Sequence, residues 1–307
     1  MADPDATLAV ICPGQGSQSP GIGLPWQAEP VWDLVTEASD ATGVDVGHLL
    51  TEADADELLD TANAQLSTYV ISVVIGTALA ETGIVPGHVA GHSLGEYSAL
   101  TVGGWLPLAQ GAELVWARGL GMRAASAERL GTMAAIIGLD PAALTRLCEA
   151  EGGVWVANDN APGQVVIAGD PAAIEAVGVA AKAEGARSPM TLQVAGAFHT
   201  PFMSSAREPL AAALEAVTFV GGASTPWANV DASAHLSTVE WPDLLSRQLC
   251  SAVRWNDEVA AMVAAGVTTF IEAGPGSVLS GMVKRIAKET TRSSVSTPAD
   301  AEELAGS

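Results

Sequence analysis

Residues 132–194 constrain the fold more than any other part of the chain, because strand-like and helix-like patterns alternate there in one definite order. Short runs of β-branched and apolar residues between turn residues predict strands, and an Asp-Pro pair is typical of a helix start. These signals predict strands at 133–138, 154–157, 165–168 and 190–194 and helices at 140–151 and 170–184. The order βαββαβ is that of a ferredoxin-like unit.

Similar patterns surround this unit on both sides. They predict strands at 8–12, 85–92 and 267–272, and helices at 65–81, 94–103, 107–123, from Thr200-Pro201 onward, over most of 242–266, and after Gly274-Pro275-Gly276. We therefore predict an α/β fold with a large domain of residues 1–130 and 196–290, into which residues 131–195 are inserted as a small domain. Residues 291–307 are small and polar, and we expect a disordered tail there.

The composition agrees with a folded globule and restricts its partners. Apolar residues make up 49% of the 307 residues and charged residues only 16%, so the chain can bury a sizeable core. The formal net charge is −22, from 35 acidic and 13 basic residues. This charge repels nucleic acids and anionic membranes, and we expect neither as a partner.

Three further features favour a cytoplasmic protein without a metal site. Residues 1–7 are acidic and polar, unlike a secretory signal. The longest apolar stretch, 66–80, is interrupted by polar residues and is shorter than the ~20 residues that span a bilayer, so we interpret it as a buried helix. Cys12, Cys148 and Cys250 lie far apart, and their odd number fits a reducing compartment better than a disulfide framework.

The sequence Gly91-His92-Ser93-Leu94-Gly95 matches the GxSxG pattern of serine nucleophiles. In a chain with 32 glycines the pattern alone is weak, and a glycine-rich connection with a capping serine would also explain it. The match falls where a predicted strand ends and a helix begins. A sharp turn there requires small neighbours and lets the serine Oγ protrude toward the free N–H groups of the helix. Ser93 is therefore the candidate nucleophile.

A serine nucleophile needs a base, and His199 is the best placed of the five histidines. It lies where the inserted unit returns the chain to the large domain, although it could also simply help to start the helix at Pro201. His92 is adjacent to Ser93, but neighbours at a strand end point to opposite faces. The other three lie in surface-like segments or at the far end of the strand: His48, His88 and His235.

No acidic residue clearly completes a hydrolase triad. In α/β-hydrolases the histidine follows the acid and comes late in the chain, whereas 108 residues follow His199 here. The three aspartates between Ser93 and His199 that we considered are better explained as turn residues or helix caps: Asp140, Asp159 and Asp170. A backbone carbonyl could orient the imidazole instead.

Several separated motifs extend the pattern over nearly the whole chain. They are Pro13-Gly14-Gln15-Gly16-Ser17-Gln18, Gly91-His92-Ser93-Leu94-Gly95-Glu96-Tyr97, Arg118-Gly119, Asn160-Ala161-Pro162-Gly163-Gln164, Gly196-Ala197-Phe198-His199, and Gln248 ahead of Val253-Arg254-Trp255. In this order they resemble the malonyl-CoA:acyl carrier protein transacylases and the acyltransferase domains of fatty acid and polyketide synthases. The resemblance implies an α/β-hydrolase-like large domain that carries a ferredoxin-like insertion.

The resemblance implies a role for each matching position. Ser93 is the nucleophile, and His199 is the general base, held by the main-chain carbonyl of Gln248. Without the resemblance Gln248 would be taken for an ordinary surface glutamine. The backbone N–H groups of Gln15 and Leu94 donate to the oxyanion, and the position after the nucleophile is also where mechanism alone places one donor.

The resemblance also implies the specificity. Arg118 corresponds to the residue that receives the free carboxylate of malonate, which a planar guanidinium can hold with two parallel hydrogen bonds. By itself the sequence around Arg118 would equally suit a helix-surface arginine. Leu94 and Phe198 look like the residues of malonyl-selective members, and a Phe198 wall would exclude an α-methyl group, so malonyl is favoured over methylmalonyl.

The implied reaction is a ping-pong transfer of the malonyl group from malonyl-CoA to the 4'-phosphopantetheine thiol of acyl carrier protein, without a bound cofactor. Such carrier proteins are expected to be acidic, so transient docking would need a local basic patch. The candidates are Lys284, Arg285 and Lys288, with Lys182 and Arg187 as additions. The C-terminal three could instead only complement a helix dipole. A monomer is compatible with the sequence, which does not decide the oligomeric state.

Two other functions stay open at this stage. A thioesterase or carboxylesterase would use the same serine and release CoA without a carrier protein, but the missing acid counts against it. A carrier-binding module without activity would not require the serine, histidine, arginine and glutamines that the motifs contain.

Overall fold

The computed structural model describes residues 3–306. Its strands are β1 (Asp5–Cys12), β2 (Pro86–Gly91), β3 (Thr132–Ile137), β4 (Val154–Ala161), β5 (Gln164–Gly169), β6 (Met190–Thr191), β7 (Thr225–Ala228), β8 (Ser233–Ala234), β9 (Thr269–Ala273) and β10 (Thr291–Val295). Its α-helices are α1 (Asp33–Thr42), α2 (Val46–Thr51), α3 (Thr61–Glu81), α4 (Gly95–Val102), α5 (Leu108–Glu128), α6 (Pro141–Glu151), α7 (Pro171–Ala183), α8 (Arg207–Glu215), α9 (Trp241–Gln248), α10 (Trp255–Ala264), α11 (Val278–Ile286) and α12 (Pro298–Ala305). Short 3-10 helices cover Leu24–Trp26, Pro30–Trp32, Glu57–Leu59 and Pro201–Ala206.

The large domain is built on a six-stranded sheet in the order β10-β9-β1-β2-β7-β8. The strands from β10 to β7 are parallel, and β8 pairs antiparallel with β7. The central strand β1 is buried from Leu8 to Cys12, as expected for a parallel strand covered on both faces. Cys12 pairs with Gly91, so the loops that follow β1 and β2 meet at the carboxyl edge of the sheet, where α/β folds place their sites.

Helix α3 is the central core helix of the large domain. Its start is capped by Asp60, whose side chain accepts the N–H groups of Ala62 and Asn63. The helix has the length and hydropathy of a membrane span, but 83% of its most apolar 18-residue window is buried within the fold, against α4, α5 and other elements. The apolar run at 66–80 is therefore a core helix, as the interruptions by polar residues predicted.

The small domain has a four-stranded sheet in the order β4-β5-β3-β6, with every neighbouring pair antiparallel. With α6 and α7 this is the ferredoxin-like arrangement, and the prediction from the βαββαβ order is confirmed. The domain has a hydrophobic core of its own that includes Ile136, Leu144, Ile167 and Ile174. Strand β6 is shorter than predicted, because residues 192–194 leave the sheet and line the cavity described below.

The expected disordered tail at 291–307 is wrong for the residues up to 306. Strand β10 pairs along β9 at the edge of the large sheet, and α12 begins with a capping box of Thr297 and Asp300. The indole N–H of Trp26 donates to the carbonyl of Ser296 at 2.9 Å and ties this segment to the domain. An edge strand of small polar residues carries almost no apolar periodicity, which explains the error. Residues 1, 2 and 307 lie outside the described range.

Candidate active site

Ser93 lies in a tight turn between β2 and α4 that only small neighbours permit. Its φ of 54° falls in a region that residues other than glycine rarely adopt. A Cβ atom at Gly91 would lie 1.9 Å from the carbonyl oxygen of Gly95, and one at Gly95 would lie 2.0 Å from that of Cys12. The GxSxG pattern is therefore a steric requirement of this turn.

His199 faces Ser93 from the loop that follows the small domain, and it also has a positive φ, of 60°. The distance from Ser93 Oγ to His199 Nε2 is 2.6 Å, and that from His199 Nδ1 to the main-chain oxygen of Gln248 is 2.9 Å. Because a carbonyl oxygen can only accept, Nδ1 carries the proton and donates to it. Nε2 is then left as the acceptor for the Ser93 hydroxyl, which is the arrangement of a general base.

The imidazole of His199 is buried, and this burial lowers its pKa to about 3, with a further lowering by the positive charge of Arg118. His199 is therefore neutral near pH 7 and can accept a proton. The backbone carbonyl of Gln248 favours the protonated ring but does not outweigh the burial.

Arg118, on α5, is only 2% exposed, so it is not the surface arginine that the sequence alone allowed. Its Nη1 donates to Gln65 Oε1 at 2.6 Å, and its Nη2 donates to Gln248 Oε1 at 3.0 Å and to Ser93 Oγ at 3.3 Å. Its Nε has no hydrogen-bond partner, and no ion pair to Arg118 occurs within residues 3–306. A buried guanidinium without an ion-pair partner is costly. Its unpaired Nε, together with Nη2 once the long contact to Ser93 Oγ is given up, forms the edge that a carboxylate could share.

The backbone N–H groups of Gln15 and Leu94 both belong to residues that line the cavity next to Ser93. Across residues 3–306, neither N–H donates a hydrogen bond. The loop that contains Gln15 can approach because Gly14 has no side chain; a Cβ there would lie 2.5 Å from the carbonyl oxygen of His92. Two free donors next to a nucleophile are what an oxyanion requires.

The site opens into a cavity of about 480 Å³ between the two domains. Apolar side chains from both domains line it, including Met122, Met133, Val166 and Leu192, and so does Phe198, which is 6% exposed. The mixture of an apolar wall with a few polar groups at one end is typical of a small-molecule site.

A buried polar layer lies directly beneath Ser93, and two of its four residues belong to no motif. It consists of the side chains of Glu96, Asn229, Gln248 and Glu258, all at most 1% exposed. Burial raises the pKa of Glu96 to about 7 and raises that of Glu258 well above its usual value. No motif marked Asn229 or Glu258: the first follows a strand that was not predicted, and the second lies on a helix with an acidic first turn.

Within residues 3–306, the imidazole rings of the other four histidines make no hydrogen bond to Ser93. His92 lines the cavity, and its Nε2 lies 2.7 Å from Asn160 Oδ1 rather than facing Ser93. The other three have partners elsewhere: His48 with Glu57, His88 with Trp227, and His235 with Asp231 and Glu240. Within the part of the chain that the structure describes, no group of three or more His, Cys, Asp or Glu side chains could hold a metal ion.

Comparison with known proteins identifies the family of the chain. A family model described as the acyl transferase domain matches residues 10–307. The malonyl CoA-acyl carrier protein transacylase of Bacillus subtilis (strain 168) is 38% identical over 297 residues, which are 95% of this chain and 94% of that protein. The protein of the same name from Escherichia coli (strain K12) is 40% identical over 297 residues, 95% of this chain and 96% of that protein.

Solved structures give the same result. An acyl carrier protein S-malonyltransferase from Vibrio cholerae superposes with a TM-score of 0.92 at 37% identity and covers 97% of this chain and 99% of its own. A malonyl-transacylase in complex with its type II PKS acyl carrier protein has a TM-score of 0.93 at 37% identity, with the same coverage. The two-domain α/β fold predicted from the sequence is confirmed, and the chain belongs to the acyl transferase domain family.

Proposed function

We propose that this chain is a malonyl-CoA:acyl carrier protein transacylase that works through a malonyl ester of Ser93. The observation that carries the proposal is the buried guanidinium of Arg118, which lacks a carboxylate partner within residues 3–306 and lies 3.3 Å from Ser93 Oγ. A buried positive charge without a counter-charge destabilises the folded protein, and the carboxylate of a bound substrate would supply that counter-charge. Malonyl has that carboxylate one methylene away from the reacting carbonyl, and acetyl lacks it.

In the first half-reaction, Ser93 Oγ attacks the thioester carbonyl carbon of malonyl-CoA while its proton moves to His199 Nε2. The N–H groups of Gln15 and Leu94 stabilise the negative oxygen of the tetrahedral intermediate. The C–S bond then breaks, and the CoA sulfur leaves with the proton from His199. Malonyl-Ser93 remains, and no oxidant or further reactant is needed.

The second half-reaction reverses these steps with another thiol. The 4'-phosphopantetheine thiol of acyl carrier protein gives its proton to His199 and attacks the ester carbonyl. The bond from that carbonyl carbon to Ser93 Oγ breaks, and the oxygen regains the proton. The product supplies a malonyl extender unit for fatty acid or polyketide synthesis. We place the reaction in the cytoplasm, which suits the three free cysteines.

A basic cavity next to the active site is the surface that we assign to the carrier protein. It measures about 540 Å³ and is lined by Pro162, Lys284, Arg285, Lys288 and Arg292, so four of the 13 basic residues of a strongly acidic chain meet there. None of the four forms an ion pair within the described residues 3–306. Lys182, the other candidate on a helix end, lines a separate cavity of the small domain.

The position of this basic cavity supports the assignment. Helix α11 contributes Val278, Leu279 and Met282 to the active-site cavity, and directly after them it contributes Lys284 and Arg285 to the basic one. A carrier protein with an acidic surface could therefore dock there while its phosphopantetheine arm reaches Ser93.

Intact-protein mass spectrometry with malonyl-CoA tests the proposal. We expect a malonyl adduct on the wild type, none on Ser93→Ala, and an unchanged adduct on Ser188→Ala, an exposed serine of the small domain. Adding the carrier protein should remove the adduct and malonylate the carrier. Rapid CoA release without a carrier protein would indicate a thioesterase instead, and an adduct that persists in Ser93→Ala would refute the proposed nucleophile.

A further inference from the structure

Two buried side-chain amides hold the peptide groups on either side of the Ser93 Cα atom. Asn229 Oδ1 accepts the backbone N–H of Ser93 at 2.7 Å, and Gln248 Nε2 donates to the backbone oxygen of Ser93 at 2.7 Å. Both amide side chains are 0% exposed. Neither contact is part of the serine–histidine pair or of the substrate cavity.

The Gln248 contact determines where the next backbone N–H points. The carbonyl of Ser93 and the N–H of Leu94 belong to one planar trans peptide group, so they point in opposite directions. Because Gln248 holds the carbonyl in the buried layer, the N–H of Leu94 is directed away from that layer, on the side of the cavity that Leu94 lines. The two amide contacts to Ser93, from Asn229 and Gln248, are called the clamp below. Through Gln248 the clamp also orients an oxyanion donor.

The orientation of Asn229 is determined by its other partners. Its Nδ2 donates to the Gly91 carbonyl and to Glu258 Oε2, both at 2.8 Å, and its own backbone N–H donates to Glu96 Oε2 at 3.1 Å. Since a carbonyl and a carboxylate accept hydrogen bonds, the NH₂ group faces them and the amide oxygen faces Ser93. Asn229 therefore ties Gly91, the last residue of β2, to Ser93, two positions further along the chain.

The turn needs such support because of its backbone. The residues of 3–306 include three non-glycine positions with positive φ, and Ser93 and His199 are two of them. A residue held in this region relaxes unless the surroundings fix it. Relaxation would move both Ser93 Oγ and the Leu94 N–H, and small displacements of this kind slow catalysis strongly.

We propose that Asn229 is a positioning residue that, with the side chain of Gln248, holds the nucleophile Ser93 and the Leu94 N–H in the reactive arrangement. The inference rests on the proposed function, since it assigns these two groups to acyl transfer. Glu258 acts one step further out by fixing the Asn229 amide. Asn229 is the better test position, because Gln248 contacts Arg118 and His199 directly, whereas within residues 3–306 Asn229 makes no hydrogen bond to either. Asn229 is linked to them only through Gln248, whose Nε2 donates to Asn229 Oδ1 at 3.4 Å.

The first variant is Asn229→Leu, which keeps the side-chain shape and removes all its hydrogen bonds. In rapid-quench single turnovers with malonyl-CoA we expect the acylation rate to fall about 10²-fold, near the lower end for loss of an oxyanion donor. The KM for malonyl-CoA should change less than about threefold, and the acid limb of the pH profile should not move, because Arg118 and His199 are untouched. A purely structural defect would not separate these quantities.

Glu258→Leu keeps the test decisive if Asn229→Leu does not fold. One oxygen of this buried carboxyl group has no partner, and the Asn229 Nδ2 that donates to the other oxygen keeps its bond to the Gly91 carbonyl. The apolar side chain therefore leaves no buried polar atom entirely without a partner, and this variant should fold. It frees the Asn229 amide and should slow acylation about tenfold, whereas Glu258→Gln, which keeps an acceptor, should stay within about threefold of the wild type. Asn256→Leu on the same helix is the matched control and should have the wild-type rate.

The outcomes separate this inference from the proposed function. If the wild type forms no malonyl ester, the proposed function fails, and the clamp is tested by the rate at which phenylmethanesulfonyl fluoride modifies Ser93 in the same variants. A folded Asn229→Leu that acylates within about threefold of the wild type, or whose loss lies entirely in KM, overturns the clamp. So does a Glu258→Leu variant with the wild-type rate.

Discussion

Replacing Arg118 by alanine should remove the preference for malonyl over acetyl, and the structure shows why. The guanidinium is 2% exposed, and its Nε is unpaired while its Nη2 reaches within 3.3 Å of Ser93 Oγ. A malonyl carboxylate at this edge would receive two charge-assisted hydrogen bonds, one from Nε and one from Nη2 in place of its contact with Ser93 Oγ. An acetyl group would leave the positive charge buried without an ion-pair partner.

The size of the effect follows from the hydrogen bonds. One hydrogen bond to a charged group is worth about 1.5–3 kcal/mol, and each ~1.36 kcal/mol changes a rate ratio tenfold. Because the carboxylate must also leave water, we count one such bond rather than two. The ratio of kcat/KM for malonyl-CoA to that for acetyl-CoA should therefore fall about 10- to 100-fold in Arg118→Ala.

The ratio is the right quantity to measure, because the substitution also affects the common machinery. Loss of Arg118 frees the side-chain oxygens of Gln65 and Gln248, and Gln248 supports His199, so both substrates should be slowed. Competition between the two acyl-CoA substrates, read as the two Ser93 esters by mass spectrometry, cancels this common loss.

A variant on the same helix provides the control for the selectivity. Arg123 is half exposed and paired with Asp60, and Arg123→Ala should keep the wild-type ratio. Arg118→Lys should have a malonyl-to-acetyl ratio between those of the wild type and Arg118→Ala, because an ammonium group keeps the positive charge but cannot make the two parallel hydrogen bonds of a guanidinium. An Arg118→Ala enzyme that still acylates and keeps the wild-type ratio would refute the assignment of Arg118 as the carboxylate receptor.

Three further predictions concern the wall, the base and the docking surface. Phe198→Ala should raise the relative kcat/KM for methylmalonyl-CoA about tenfold, because it makes room for one methyl group; an unchanged ratio would mean that another residue excludes the methyl. Only neutral His199 accepts a proton, and its pKa is lowered to about 3, so the acylation rate with acetyl-CoA should fall only well below pH 6.5. Arg118→Ala should move this fall to higher pH, because it removes a positive charge that lowers the pKa of His199. A fall at pH 6.5 in the wild type would contradict this. Reversing Lys284 and Lys288 to glutamate should raise the KM for acyl carrier protein about tenfold and leave acylation by malonyl-N-acetylcysteamine, which lacks the protein and the phosphates, unchanged; an unchanged carrier KM would place docking elsewhere.

Elements with a local signal could be predicted from the sequence. Asp140 and Asp170 cap α6 and α7 through the N–H groups of Ala143 and Ala172, as their Asp-Pro pairs indicated. The strand-to-helix turn at Ser93 was predictable for the same reason, because its glycines are required by contacts inside the turn and with the neighbouring strand. For the two caps and for the contact between Gly91 and Gly95, the cause lies within a few residues of the effect, whereas the contact of Gly95 with Cys12 adds a requirement from a distant strand.

Features that depend on distant partners could not be predicted. The polar strand β10 forms because it can pair with β9 at the edge of the sheet. Asn229 can reach Ser93 because β7, the strand before Asn229, pairs with β2, the strand before Ser93. The side chain of Gln248 contacts Ser93, 155 positions away, and nothing in the sequence of α9 distinguishes it from a surface glutamine. The family resemblance pointed to its main-chain oxygen but not to its side chain.

The departures from ordinary local rules converge on this one site. Two of the three positive-φ non-glycine residues within 3–306, a buried arginine without an ion pair, and two buried carboxyl groups with raised pKa values all lie in a continuous hydrogen-bonded network around Ser93. Each costs stability, on the order of 1–3 kcal/mol for a strained backbone residue alone. The surrounding helices must supply that stability, and long, largely buried helices such as α3 are the elements that can. Because local propensity opposes these features, they are maintained by function rather than by folding.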